Sequence, residues 1–217
     1  MVDRRFVIGV VGRSGTTRYA YLINAALLQE ERYRNLIWFA NSTHELNLYY
    51  HINHTHNLEN FLSAPSNLEK IWARRNYLDI LVSNFVGIQT QVYYVDWQNS
   101  ARYANNFQNQ KFHINVDTLF NDLTGLEIMS AQLKQAMQNS TNTTWHELSF
   151  NLHAVNPVLF FETLGLPHTP QYYGPDPMSI DKYSLIDNLD EIIELYQSYN
   201  FQHDVDKQET IDRLKAR

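Results

Sequence analysis

The densest group of residues able to do chemistry is the run G-V-V-G-R-S-G-T-T-R, residues 9–18, which holds three of the chain's seven glycines. Glycines that expose backbone amides where a helix begins form a cradle for an anion, and Ser14, Thr16 and Thr17 add hydroxyl donors. A phosphate or a carboxylate fits such a cradle. The run lacks the lysine of a nucleoside-triphosphate loop, and Gly9, Gly12 and Gly15 lack the spacing of a dinucleotide fingerprint. The plain alternative is a tight strand-to-helix turn whose glycines serve only backbone geometry.

His51, His54 and His56, with His44 nearby, could ligate zinc with Glu45 or Glu59. They lack the H-E-x-x-H order and lie among Asn, Tyr and Thr, so a solvated loop is the simpler reading and no metal is expected. His113 falls in an alternating segment and reads as a core or edge histidine. His168 sits in a proline-rich stretch, since five of six prolines lie between Pro157 and Pro177, and loops of this kind often carry exposed functional groups. The aromatics Tyr49-Tyr50, Tyr93-Tyr94, Trp97 and Tyr172-Tyr173 could stack on bases, but they read as core, rim or oligomer interface.

The chain has 217 residues, 44% of them apolar, and no cysteine. A core large enough to fold without staples is expected, and any thiol nucleophile, thiolate zinc site or disulfide is excluded. Seventeen basic against 23 acidic residues give a net charge of -6. The basic residues gather no further than pairs such as Arg4-Arg5 and Arg74-Arg75, so nucleic acid is not an expected partner. The run Phe6 to Val11 is too short to span a bilayer and no leader-like segment precedes it, so a cytoplasmic protein without a membrane partner is expected. Abundant Tyr, Phe and Trp are compatible with a homodimer.

These groups need a scaffold, and the hydrophobic patterning predicts alternating strands and helices. Strands are expected at Phe6–Val11, Leu36–Ala40, Tyr77–Ser83, Gln91–Val95, Phe112–Val116 and Val158–Thr163. Helices are expected at Arg18–Arg32, Leu58–Arg75, Leu126–Met137 and Leu189–Tyr199. That alternation implies an α/β sandwich on a parallel sheet. Ligands of such sheets sit at the carboxyl ends of strands, which directs attention to residues 12–17, 41–43, 83–87, 117 and 165–170.

At those positions the chain resembles the aspartate/glutamate racemase superfamily. The opening I-G-V-V-G-R-S-G-T-T-R-Y-A-Y-L-I-N, residues 8–24, is similar to that family's first strand, glycine turn and helix, with Thr16, Tyr19, Leu22, Ile23 and Asn24 in step. Leu78 to Asn84 resembles the A-D-x-I-V-x-C-N-T segment, with Asn84 kept and Ser83 in place of the first catalytic cysteine. Phe112 to Asp117 resembles L-L-H-I-x-D. Val158 to Pro170 is in register with I-V-L-G-C-T-E-I-P, where Leu166 replaces the second cysteine, and Leu185 to Asp187 looks like the closing P-V-x-D segment.

The resemblance implies two pseudo-symmetric α/β lobes, the second shortened, with boundaries at 1–115, 116–182 and a helical segment 183–217 returning to the first lobe. It implies no cofactor and a small amino or dicarboxylic acid in a cleft between lobes. Ligand positions would be Ser14, Thr16, Thr17, Asn41, Asn84 and Asp117, and the catalytic positions would be Ser83 and His168. The family's two-thiol racemisation cannot operate, because a serine hydroxyl yields its proton far less readily than a thiol and Leu166 has none to move. Three readings follow: a racemase-fold protein that binds a small carboxylate with its chemistry lost; an isomerase or lyase using His168 or Asp117 as a non-thiol base; and an unrelated α/β protein holding a phosphate-containing small molecule at the Gly9 to Thr17 loop.

Overall fold

A computed structural model describes residues 6–10, 19, 22, 49–51, 55–64, 66, 68–90, 110–154, 156–166 and 181–217. The chain divides into two compact units that alternate along the sequence, Met1–Arg74 with Gln135–Asp176, and Arg75–Lys134 with Pro177–Arg217.

Among the described residues, the first unit is built on a four-stranded sheet. Its strands are β1 (Phe6–Val10), β2 (Tyr49–His51), β3 (Glu69–Arg74) and β4 (Trp145–Ser149), in the order β2-β1-β3-β4. Every pairing is parallel, with Ile8 opposite both Tyr49 and Ile71, and Arg74 opposite Ser149. The expected α/β class with a parallel sheet is therefore observed. A strand buried on both faces needs apolar residues at every position, and F-V-I-G-V supplies them.

Each face of this sheet is covered. On one, Ile8, Ile71, Ala73 and Leu148 pack with Tyr19 and Leu22, which are helical, and with Phe160, Phe161, Leu164 and Leu166. On the other, Phe61 of helix α1 (Thr55–Ser63) lies edge-on to Trp145 and against Gly9. Lys70, buried on β3, sits between the Phe61 and Trp145 rings and donates to the Leu62 carbonyl. Burial holds its ammonium pKa below the usual lysine value.

The described residues of the second unit are mainly helical. The unit contains α2 (Tyr77–Thr90), most of α3 (Val116–Asn139), a 3-10 turn at Lys182–Leu185, α5 (Leu189–Ser198) and α6 (Lys207–Lys215). Helix α4 (Pro157–Leu164) belongs to the first unit and follows a π-helical turn, Phe150–Ala154, that continues β4.

Several expected elements are corrected. Tyr77–Ser83 is the start of α2 rather than a strand, because Asn76 caps it by accepting the Asp79 amide at 3.2 Å and its buried positions recur at helical spacing. The third strand in sequence is instead Glu69–Arg74, which patterning had placed at the end of a helix from Leu58 to Arg75; the helix in that region spans only Thr55–Ser63. Val158–Thr163 is helical, not extended. Asn156 accepts the Leu159 amide, Pro157 opens the helix, and Gly165 closes it in the left-handed region at φ 59 and ψ 34. Start and stop signals of this kind outweigh a short apolar run.

The expected strand Phe112–Val116 makes only a single parallel bridge, from Phe112 to Ile186; residues 113–115 are irregular and Val116 is already helical. Its Asn115 side chain accepts the Thr118 amide at 2.9 Å, so α3 begins at Val116, ten residues before the expected Leu126. The helix expected at Leu189–Tyr199 is observed as Leu189–Ser198. The expected strands at 36–40 and 91–95 lie outside the described residues.

Candidate functional site

In an open parallel sheet, a ligand crevice forms beyond the carboxyl ends of the strands where the chain reverses its direction of travel across the sheet. Among the described strands, β2 lies outside β1 on one side and β3 and β4 follow on the other. The reversal falls at β1, whose carboxyl end leads into the Gly12 to Thr17 run. The positions of Ser14, Thr16, Thr17 and Asn41 themselves lie outside the described residues, as does His168.

Arg74 ends the neighbouring strand β3 at this same edge. Its guanidinium lies 4.5 Å above the Trp72 ring and forms an ion pair with Glu147 of β4. The side chain is only 13% exposed, against 31% for Glu147. Stacking and pairing hold the fork in one orientation, and a guanidinium fixed in this way suits the planar, two-oxygen face of a phosphate or carboxylate. At the end of β4, the Ser149 amide donates to Nδ1 of His153 at 3.0 Å. His153 is buried in the π-helical turn and its pKa is held below the usual histidine value, chiefly by desolvation. The same Nδ1 lies 3.2 Å from the Ser149 carbonyl, so the ring is held against both polar backbone groups of one residue.

His146, Glu69 and Lys70 sit toward the opposite end of the strands. Nε2 of His146 lies 2.7 Å from Glu69 Oε2, beside Phe6, and Lys70 is enclosed by aromatic rings. These groups close the amino half of the sheet and do not face the carboxyl edge.

Ser83 and Asn84 behave differently from what a strand end would require. Ser83 is 2% exposed inside α2 and accepts a hydrogen bond from Nζ of Lys182. Asn84 is exposed. Successive residues of a helix point about 100° apart, so the two do not converge on one ligand. Asp117 is exposed in the first turn of α3, where a carboxylate complements the helix dipole. Leu166 follows the Gly165 cap and is packed in the apolar cluster. Neither position at which the racemase family carries its cysteines lies at a strand tip.

Within the second unit, Asp79 is buried, accepts the Tyr183 hydroxyl at 2.7 Å and pairs with Arg213 at 2.9 Å. This cluster joins α2, the 3-10 turn and α6 as internal scaffolding. Among the described residues no three His, Asp or Glu side chains gather as a metal site, and no helix is long and apolar enough to cross a membrane. Of the residues at the carboxyl edge, Arg74 was visible in the sequence only as half of a basic pair. Glu147 and His153 carry no local signal, since their relation to Arg74 and Ser149 depends on the β3–β4 pairing. Comparison with protein-family models, with curated proteins and with solved structures finds no match to this chain.

Proposed function

We propose that the chain binds a phosphate-containing small molecule at the carboxyl edge of its parallel sheet. The amides and hydroxyls of residues 12–17, which follow β1 in sequence, would receive the phosphate, and Arg74, at the carboxyl end of β3, would supply a guanidinium. The observation that carries this reading is the strand order β2-β1-β3-β4, which makes the carboxyl end of β1 the point of reversal. Arg13 and Arg18 flank the loop in sequence and add positive charge to an otherwise acidic chain. The missing lysine argues against a triphosphate tail and in favour of a mono- or bisphosphate.

The small-carboxylate reading drawn from the racemase resemblance has less support. It needs Ser83 and the residues around Leu166 at the tips of strands, and these segments are helical or follow a helix. A ligand-shift thermal melt distinguishes the two. A ligand present at 100 times its Kd adds about 2.7 kcal/mol to stability. Nucleoside mono- and bisphosphates or phosphosugars are expected to raise the Tm, whereas aspartate and glutamate are not. Stabilisation by the amino acids alone would return the reading to the carboxylate class.

A further inference from the structure

We propose that the 3-10 turn at Lys182–Leu185 carries a binding site for a phosphate group, free or as a monoester, held by Arg213 and Arg217. The two guanidinium carbons lie 5.9 and 5.5 Å from the centre of the Tyr183 ring. Each fork is tied through one nitrogen to a carboxylate, Arg213 through Nη2 to Asp79 at 2.9 Å and Arg217 through Nη1 to Asp181. Ring and carboxylate together fix where each fork lies, so little side-chain freedom is left to lose when an anion arrives.

Both forks stay open to solvent. The Arg213 side chain is 50% exposed and that of Arg217 35%, whereas Asp79 is buried. A guanidinium has five N–H donors, and the nitrogens not used by Asp79 and Asp181 can serve phosphate oxygens. More positive charge gathers at the same turn. Lys182 donates to the Ser83 hydroxyl, Lys111 donates to the Ser184 carbonyl, and the charges of Arg75 and Arg213 both reach the Tyr183 hydroxyl. Five cations therefore meet at one four-residue turn in a chain whose net charge is -6. Glu209 of α6 also faces Arg213 and adds to the hold of Asp79 on it.

Basic residues at the end of a helix commonly complement its dipole. That does not account for two arginines that reach Tyr183 on another element, nor for Lys111 and Lys182 beside them. A phosphate monoester carries about 1.5 to 2 negative charges at pH 7 and three acceptor oxygens, which suits two fixed forks better than a single carboxylate does. All of these residues belong to the second unit, so the site does not depend on the loop of residues 12–17.

Titration of the full chain with inorganic phosphate, at an ionic strength held constant with sodium chloride and followed by the arginine Nε–Hε magnetic resonance signals, tests the proposal. Saturable shifts of Arg213 and Arg217 are expected. Arg217→Gln, which alters an exposed side chain, is expected to weaken the binding read at Arg213 about tenfold, and Arg213→Gln to do the same at Arg217. Thr16→Val is expected to leave both titrations unchanged, which separates this site from the loop. Glycerol phosphate identifies the source: tighter binding than inorganic phosphate assigns the site to a monoester, and equal or weaker binding assigns it to the free ion. Shifts that do not saturate, binding unaltered by Arg217→Gln, or binding abolished by Thr16→Val overturns the site. Should Arg213→Gln not fold, the Arg217 variant decides alone.

Discussion

Gly9 and Phe61 approach so closely that a methyl group on Gly9 would lie 2.6 Å from the aromatic ring. The glycine is therefore required by packing within β1, apart from any role in the loop that follows. Gly9→Ala is expected to lower stability by about 1–3 kcal/mol through overpacking. Urea denaturation gives the midpoint, and pairing the change with Phe61→Leu is expected to recover part of the loss. An unaltered midpoint in Gly9→Ala would show that the ring moves aside at no cost.

Arg74 links the sheet to the proposed ligand. Arg74→Met is expected to weaken binding of a stabilising nucleotide or phosphosugar by roughly 1–2 kcal/mol, about tenfold in Kd. Glu147→Gln removes the competing carboxylate and is expected to keep or strengthen binding. Isothermal titration calorimetry checks both, and equal weakening in the two variants would indicate that only the intact pair matters.

Thr16 and Asn84 separate the loop from the helix. If the loop holds the phosphate, Thr16→Val weakens binding by about 1–3 kcal/mol by removing a ligand hydroxyl, whereas Asn84→Ala, altering an exposed residue of α2, leaves it unchanged. The reverse pattern in calorimetry would move the site to α2.

Asn76 shares its amide among Tyr196, Asp204, Val205 and the Asp79 backbone while fully buried. Asn76→Ala both uncaps α2 and orphans these partners, so a loss of about 2–4 kcal/mol is expected by chemical denaturation. A loss below about 1 kcal/mol would mean that water replaces the amide.

His153 makes stability depend on pH. Its pKa is lowered in the folded chain, so the unfolded chain takes up a proton first as pH falls below about 6.5. Stability from this group is present above that value and is lost as pH falls further. Melting curves from pH 7.5 to 5 are expected to show a shallower acid loss in His153→Gln than in the wild type, and parallel curves would contradict the burial argument.

Local chemistry along the chain is enough to set several features. The apolar, β-branched F-V-I-G-V made β1 a buried strand, the periodic stripe of Leu189 to Ser198 made a helix, and the lack of cysteine ruled out thiol chemistry. Two other apolar runs, Tyr77–Ser83 and Val158–Thr163, were equally hydrophobic as strands or helices. Their flanking Asn, Pro and Gly residues held the signal, but a cap shows its effect only once its side chain meets a backbone amide. Tertiary structure decided that Glu69–Arg74, with a lysine and an arginine on one face, is a sheet strand, because Lys70 finds two aromatic rings and Arg74 finds Trp72 and Glu147. Pairings between residues 70 or more positions apart depend on strand register, and no periodicity within either segment encodes it.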